Sequence, residues 1–286
     1  MNRALAIVGF LAILLAVDTQ VDARLQLLLG AAAWIALWLA CRGVPPLLRA
    51  QALVVVVVAT CAELLGSIVW GVYTYRLENL PSFVPPAHGL VYLAGAAIAR
   101  AAAPRPKMLV GIALVLVLTW GVAGITVLPR EDTAGALGAA LLAIYLVRGR
   151  APQIYAGVFL VVAWLELYGT AIGTWEWAPV VPGTEVANGN PPSGVASGYV
   201  WFDIVALAVA PRLVALGQRP GSVLRRNPSR ASSRATPERR VGSGRVYGLE
   251  PRPRPSRTVA HTPARSQTHC EAAKPQRDRD DTAMLD

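Results

Sequence analysis

Three carboxylic residues, Glu63, Glu166 and Asp203, lie inside long apolar stretches of the sequence. A charged side chain at the centre of a bilayer costs roughly 2.5–3.5 kcal/mol on the insertion scale, so such residues usually face a protein interior and serve a function. A carboxyl group that is kept protonated by burial can give its proton to a substrate. We therefore take these three as candidate catalytic residues. The alternative is that each hydrogen-bonds a neighbouring helix and only supports the structure.

Two of these carboxylates begin similar segments. The segment from Glu63 reads E-L-L-G-S-I-V-W-G-V-Y-T-Y, and the segment from Glu166 reads E-L-Y-G-T-A-I-G-T-W-E-W. Each has a glycine three residues after the glutamate, a second glycine farther on, and an aromatic-x-aromatic end; one gap aligns them. Small residues beside a carboxylate let another helix approach closely. A Pro-rich loop follows each segment, which indicates an internal repeat.

The aromatic residues after each glutamate are candidates for binding a substrate, although aromatic belts at a membrane interface are also ordinary. A histidine that opens the next apolar stretch could donate a proton near neutral pH or serve as a polar cap. A tyrosine four residues before Asp203 shares its helix face. The predicted substrate-binding residues are Trp70, Tyr73, Tyr75, His88, Trp175, Trp177, Asn190 and Tyr199.

Eight apolar runs can position these residues, because a membrane helix needs roughly 20 apolar residues. The first and sixth runs are short, so seven spans with one re-entrant segment is the main alternative. The first run could also be a cleaved signal peptide, but no A-x-A-like site follows it, and we expect it to be retained. The runs cover approximately residues 4–17, 25–41, 48–73, 87–103, 108–128, 133–147, 154–175 and 194–216.

The charges of the connecting loops predict the orientation. The loops after the second, fourth and sixth runs carry net charges of +2, +3 and +2, whereas the other four carry −1, 0, −1 and −2. Basic loops face the cytoplasm. The sequence therefore predicts a multi-pass protein of the cell membrane with both termini cytoplasmic. Because Glu63 and Glu166 are 103 positions apart with four spans between them, the two halves, about 1–103 and 108–216, should have the same orientation.

Composition separates the membrane domain, residues 1–216, from a basic tail, residues 217–286. The chain of 286 residues is 54% hydrophobic and 15% charged, with a mean hydropathy of +0.45. Of its 27 Lys and Arg residues, 15 fall in the tail, which has few large apolar side chains to bury. We expect the tail to be disordered, and either to contact anionic lipid heads or nucleic acid or to be merely solvated. Nucleic-acid binding is not expected for the membrane domain.

The two glutamate segments resemble the E-x-x-G-x-x-x-G-x-aromatic-x-aromatic pattern of membrane carotenoid-biosynthesis proteins, a group that includes carotenoid 1,2-hydratases and lycopene-cyclase-like proteins. The resemblance covers about 30 residues in each half. It implies acid–base chemistry on a polyene without a metal or nucleotide cofactor. The sequence itself contains no nucleotide-binding motif, and its three Cys and three His residues lack the spacing of a zinc site.

The predicted fold is therefore an all-α, polytopic membrane bundle of about eight spans in two parallel four-helix repeats. The leading functional hypothesis is an enzyme that acts on a lipid or isoprenoid substrate. The alternatives are a proton-coupled transporter, since mid-membrane carboxylates and parallel repeats also occur in transporters, and a non-catalytic membrane assembly component. Membrane lipids are the expected partners in every case.

Overall fold

The computed structural model describes residues 2–217, and this part of the chain is mainly helical. The predictions made for the basic tail concern residues that lie outside the described part, apart from Gly217 at its boundary. The helices are α1 (Asn2–Asp18), α2 (Ala23–Cys41), α3 (Pro46–Glu63), α4 (Val84–Ala101), α5 (Pro106–Thr126), α6 (Thr133–Arg148), α7 (Pro152–Ala171) and α8 (Ala196–Gly217).

Five of these helices are long and apolar enough to cross a membrane: α2, α3 with its extension to Trp70, α5, α7 and α8. Many of their large apolar side chains are exposed on the outside of the bundle, as expected for a surface that lipid covers. These features indicate an integral membrane protein.

The helix starts follow from local sequence. Proline occupies the first position of α3, α5 and α7, where its missing N–H costs no hydrogen bond. Asp22 and Asp132 cap α2 and α6 by accepting hydrogen bonds from backbone N–H groups of the first turn.

Two short strands begin at the last residues of two runs that the sequence predicted as helix. The third and seventh apolar runs were expected to continue as helix to residues 73 and 175, but left-handed glycines end them earlier, Gly71 at φ 73° and Gly173 at φ 76°. The α3 helix continues only as a π-helical segment, Leu64–Trp70. The aromatic-x-aromatic ends then form strands β1 (Tyr73–Tyr75) and β2 (Trp175–Trp177), which pair antiparallel.

The centre of the bundle consists of α4 and α7, which have the largest numbers of buried residues. Glycines allow the two helices to meet at van der Waals distance. A Cβ atom on Gly95 would lie 2.5 Å from Val158 Cγ2, and one on Gly157 would lie 2.2 Å from the Gly95 carbonyl oxygen. Around this pair, α3 packs against both α4 and α8, while α8 also packs against α7. The four helices that carry Glu63, His88, Glu166 and Tyr199 therefore form a closed ring, in which each helix contacts two of the others.

Candidate functional site

A cavity of about 250 Å³ lies under the two strands, between α1, α3, α4, α7 and α8. We call it the acidic cavity, because Glu63 and Glu166 both line it. Its remaining walls are mainly aliphatic and aromatic. The lining includes Leu11, Leu14, Leu15, Gly66, Trp70, Tyr73, Tyr75, Phe83, Val84, Ala87, His88, Leu165, Trp175, Trp177, Val195, Tyr199 and Phe202.

Glu63 is surrounded by three polar groups. Its Oε2 atom accepts hydrogen bonds from the Tyr73 hydroxyl at 2.7 Å and from the Tyr75 hydroxyl at 2.8 Å. Its Oε1 atom lies 3.2 Å from His88 Nε2, at an angle outside good hydrogen-bond geometry. His88 Nδ1 lies 2.9 Å from the Val84 carbonyl oxygen. Because only a protonated Nδ1 can donate to that carbonyl, the Nε2 atom is left to exchange a proton with Glu63.

Glu166 has different partners. Its Oε2 atom accepts hydrogen bonds from the Trp175 indole N–H at 3.0 Å and the Trp177 indole N–H at 3.1 Å. An indole nitrogen can only donate a hydrogen bond, so neither tryptophan can accept a proton from the Glu166 carboxyl group. Glu166 is thus held by two rigid donors, whereas Glu63 is held by phenols and faces an imidazole.

The paired strands connect the two carboxylates. Tyr73 is opposite Trp177 and Tyr75 is opposite Trp175, so each strand presents both of its aromatic side chains toward the cavity. The Tyr73 and Trp177 rings are 4.6 Å apart between centroids, and the Tyr75 and Trp175 rings are 6.1 Å apart. The middle residue of each strand, Thr74 or Glu176, is exposed. This alternation makes the strands an aromatic roof over the acidic cavity.

The phenols of the roof are donors over a wide pH range. Burial raises the pKa of Tyr75 well above its usual value, and the neighbouring Glu63 carboxylate adds to this shift. Burial and the same carboxylate also raise the pKa of Tyr73. Both hydroxyls therefore keep their protons, and Glu63 keeps its two hydrogen bonds, at any physiological pH.

A stack of rings forms the cavity wall beside His88. The His88 imidazole lies parallel to Tyr199, with centroids 5.4 Å apart, and Phe202 packs edge-on against it at 6.0 Å. These contacts fix the plane of the imidazole. Aromatic faces also provide the electron-rich surface that stabilises a nearby cation.

Most residues that the sequence singled out meet at this cavity. Glu63 and Glu166 line it together with Trp70, Tyr73, Tyr75, His88, Trp175, Trp177 and Tyr199.

Two predicted residues do not line it. Asp203 is 1% exposed, and its Oδ2 atom has no hydrogen-bond partner among the described residues, but it lies one helical turn beyond Tyr199 and outside the cavity lining. Similar depth in the membrane had suggested that it would join the glutamates. Asn190 also lies outside the lining, where its Oδ1 atom accepts a hydrogen bond from the Trp177 backbone N–H at 3.1 Å.

Several residues of the site were not predicted from the sequence. Leucines of α1 and the aromatic residues Phe83 and Phe202 complete the walls, but they carry no polar signal that would separate them from lipid-facing residues. Arg130 and Asp132 form hydrogen bonds with the loop that follows strand β2. The acidic residue just before a helix was a recognisable capping signal, although it gave no indication of a second role.

Within residues 2–217, no group of three or more His, Cys, Asp or Glu side chains is arranged to hold a metal ion. Comparison with known proteins gives no match to a family model, to a curated protein or to a solved structure. The functional assignment therefore rests on the geometry of the acidic cavity.

Proposed function

We propose that this chain is an integral membrane enzyme that performs acid–base chemistry on a double bond of an isoprenoid or carotenoid lipid. The observation that supports it best is that two glutamates line one cavity whose other walls are apolar and aromatic. The short-motif resemblance to carotenoid-biosynthesis proteins supports the choice of a polyene as substrate.

The proposed reaction begins with proton transfer to carbon. The proton of the Glu63 carboxyl group passes to one carbon of the double bond, whose π electrons form the new C–H bond and leave a carbocation on the other carbon. His88 Nε2, which lies 3.2 Å from Glu63 Oε1, is the group that can return a proton to Glu63. The aromatic roof and the ring stack stabilise that cation. Glu63 is assigned as the acid because it is the glutamate that faces a second proton-exchanging group.

The reaction ends with the loss of a proton. A water molecule adds to the cation and gives its proton to Glu166, so that the net result is hydration of the double bond. Without water, Glu166 takes a proton from a carbon next to the cation, and the electrons of that C–H bond form a double bond in a new position. In a cyclisation, the π electrons of a second double bond first form a C–C bond to the cation, and Glu166 then takes the proton next to the new cation. Glu166 is assigned as the base because its Oε2 atom meets only donor groups. Glu166 then releases its proton to bulk water and Glu63 takes one up, which restores the starting state of both residues.

The fold is proposed to contain eight spans in two parallel halves, with both termini cytoplasmic in the cell membrane. The helix contacts support this repeat when α1, α2, α3 and α4 are matched with α5, α6, α7 and α8. Under this match the contact of α3 with α4 corresponds to that of α7 with α8, and the contact of α3 with α8 corresponds to that of α7 with α4. The contacts of α2 with α4 and of α1 with α2 likewise correspond to those of α6 with α8 and of α5 with α6. The antiparallel register of β1 and β2 fits a two-fold axis that passes between the halves.

The experiment is lipid analysis of a strain in which the gene is deleted. Complementation by wild type restores the missing polar isoprenoid product, whereas Glu63→Gln and Glu166→Gln, which keep shape but lose the transferable proton, do not restore it. Glu176→Gln is the matched control, because Glu176 lies on β2 but is exposed. Full complementation by both Gln variants would overturn the proposal.

The same strain distinguishes the two alternatives. A proton-coupled transporter predicts substrate uptake that a protonophore abolishes. A structural component tolerates the Gln variants but is disturbed by Glu63→Leu, since the leucine leaves the buried Tyr73 and Tyr75 hydroxyls without their acceptor.

A further inference from the structure

Asp132 joins two parts of the chain that are distant in sequence. It is 1% exposed and accepts three backbone hydrogen bonds. Oδ1 accepts from Gly135 at 3.0 Å and Gly189 at 2.7 Å, and Oδ2 accepts from Ser193 at 2.7 Å. The first donor belongs to α6, whereas the other two belong to residues 178–195, which connect β2 to α8 and which we call the covering loop. A charge-assisted hydrogen bond is about twice as strong as a neutral one.

Arg130 also holds this region. Its Nε atom donates to the Asn188 carbonyl at 2.7 Å, and its Nη2 atom donates to the Trp177 carbonyl at 2.6 Å. Asn190 Oδ1 accepts a hydrogen bond from the Trp177 backbone N–H. Both the backbone N–H and the carbonyl group of Trp177 are therefore hydrogen-bonded to side chains. Burial lowers the pKa of the Arg130 guanidinium, and nearby carboxylates oppose the shift, so the side chain keeps its charge.

The covering loop and Trp177 reach the acidic cavity at several points. The Trp177 indole donates to Glu166 at 3.1 Å, and Val195 forms part of the cavity wall. On the other side, the Trp70 indole donates to the Pro182 carbonyl at 3.1 Å. A displacement of the loop would therefore change the donor set of Glu166 and the cover of the cavity together.

We infer that Asp132 and Arg130 are positioning residues, which hold the covering loop so that Trp177 donates to Glu166. The effect on a reaction rests on the proposed function, but the effect on Trp177 does not. The structure provides space for this contact through glycines: a Cβ atom on Gly189 would lie 2.7 Å from Asp132 Cγ, and one on Gly135 would lie 2.1 Å from Asp132 Oδ2.

Asp22 shows what a simple helix cap looks like in the same protein. It caps α2 as Asp132 caps α6, and its Oδ1 atom accepts from Arg24 at 3.1 Å and Leu25 at 2.9 Å. However, Asp22 is exposed, and both donors belong to its own helix. Comparison of the two aspartates therefore separates helix capping from loop positioning.

The test uses the full chain in detergent or nanodiscs, labelled with 5-fluorotryptophan and observed by ¹⁹F NMR. Trp177→Phe assigns the Trp177 resonance among the eight tryptophans. In Asp132→Asn the carboxylate becomes an amide that can accept through one oxygen only and whose NH₂ group faces N–H donors. We expect the Trp177 resonance to shift or broaden, and the amides of Gly189 and Ser193 to exchange hydrogen about tenfold faster or more. Asp22→Asn should leave both unchanged.

A second variant protects the test against misfolding. Arg130→Gln removes the charge that holds the Trp177 carbonyl and should move the same resonance, whereas Arg130→Lys should restore part of the wild-type signal. If both Asp132→Asn and Arg130→Gln fold with the Trp177 resonance and the loop exchange rates of wild type, the inference is wrong. It is also wrong if Asp22→Asn disturbs Trp177 as strongly as Asp132→Asn does.

Failure of the proposed function would look different. In that case Glu63→Gln and Glu166→Gln keep full complementation while the Asp132 and Arg130 variants still disturb Trp177. Under both the inference and the proposed function, Asp132→Asn reduces product formation without loss of membrane-inserted protein, and Asp22→Asn does not.

Discussion

At the scale of the residue, the two glutamates of the acidic cavity differ in their hydrogen-bond partners. Glu63 contacts two phenols and an imidazole, whereas Glu166 contacts two indoles. An imidazole can exchange a proton with a carboxyl group near neutral pH, whereas indole N–H groups cannot at any physiological pH. This difference is the basis for assigning the acid and the base.

The phenols that hold Glu63 give a prediction at this scale. Tyr75→Phe removes a buried donor at 2.8 Å from Oε2, and Tyr73→Phe removes the other at 2.7 Å. Since a hydrogen bond to a charged group contributes about 1.5–3 kcal/mol, each variant should lower the rate of product formation by about tenfold or more. The double variant should lower it further. Rates are measured in membranes with equal amounts of protein.

Tyr168→Phe is the control for the tyrosine variants, because Tyr168 does not line the acidic cavity. It should retain the wild-type rate. A double variant Tyr73→Phe/Tyr75→Phe with the wild-type rate would show that Glu63 does not need these donors.

The glutamates could be grouped with their aromatic neighbours from the sequence because these residues lie close together in the chain. Tyr73 and Tyr75 follow Glu63 by 10 and 12 residues. By contrast, the donors to Asp132 in the covering loop are 57 and 61 residues away, and no local pattern indicates them. Asp203 was grouped with the glutamates from its depth alone, since the sequence does not define how far the cavity extends along α8.

At the scale of the element, the close approach of α4 and α7 positions both halves of the site. The α4 helix carries His88 and α7 carries Glu166, and the two helices meet at Gly95 and Gly157. The long apolar runs predicted these helices, but the short strands could not be predicted in the same way. From the sequence, their aromatic residues are predicted to lie at the ends of helices, because nothing in the sequence shows that Gly71 and Gly173 adopt left-handed conformations that end the helices.

The helix crossing gives a prediction at this scale. A methyl group added by Gly157→Ala would lie 2.2 Å from the Gly95 carbonyl oxygen, so the helices must move apart. Overpacking of this kind costs about 1–3 kcal/mol. The variant should unfold at a lower temperature than wild type in detergent and lose product formation.

Gly111→Ala is the matched control, since a Cβ atom there has nothing within 4 Å. Alanine is a better helix former than glycine by about 1 kcal/mol, so this variant should be as stable as wild type or slightly more stable. Equal unfolding temperatures for both variants would contradict the close contact of α4 and α7.

At the scale of the whole molecule, the described residues form a helical bundle with the acidic cavity at the end that carries the two strands. Apolar surface and loop charge agree on a membrane protein, and the basic loops all lie on the side of the membrane opposite the roof in the proposed topology. The aromatic roof then faces away from the cytoplasm.

This arrangement predicts the result of reporter fusions. A fusion at Glu185, within the covering loop, and a fusion after Gly217, at the end of α8, should report opposite sides of the membrane, because α8 separates them. The fusion after Gly217 should report the cytoplasm. Two fusions on the same side would contradict both the span of α8 and the eight-span topology.

Proton transfer to carbon by Glu63 is the central claim, and deuterium incorporation tests it most directly. Membranes that contain the protein are incubated in D₂O with a linear polyene, and the product is analysed by mass spectrometry. Wild type and the exposed-site control Glu176→Gln should place one deuterium on one carbon of the former double bond, adjacent to the carbon that forms the new C–O or C–C bond. Glu63→Gln should reduce this incorporation by about a hundredfold or more, since general acid–base catalysis contributes roughly 10²–10⁴-fold. Equal incorporation by wild type and Glu63→Gln, or none by wild type with a polyene that the deletion strain accumulates, would contradict the account.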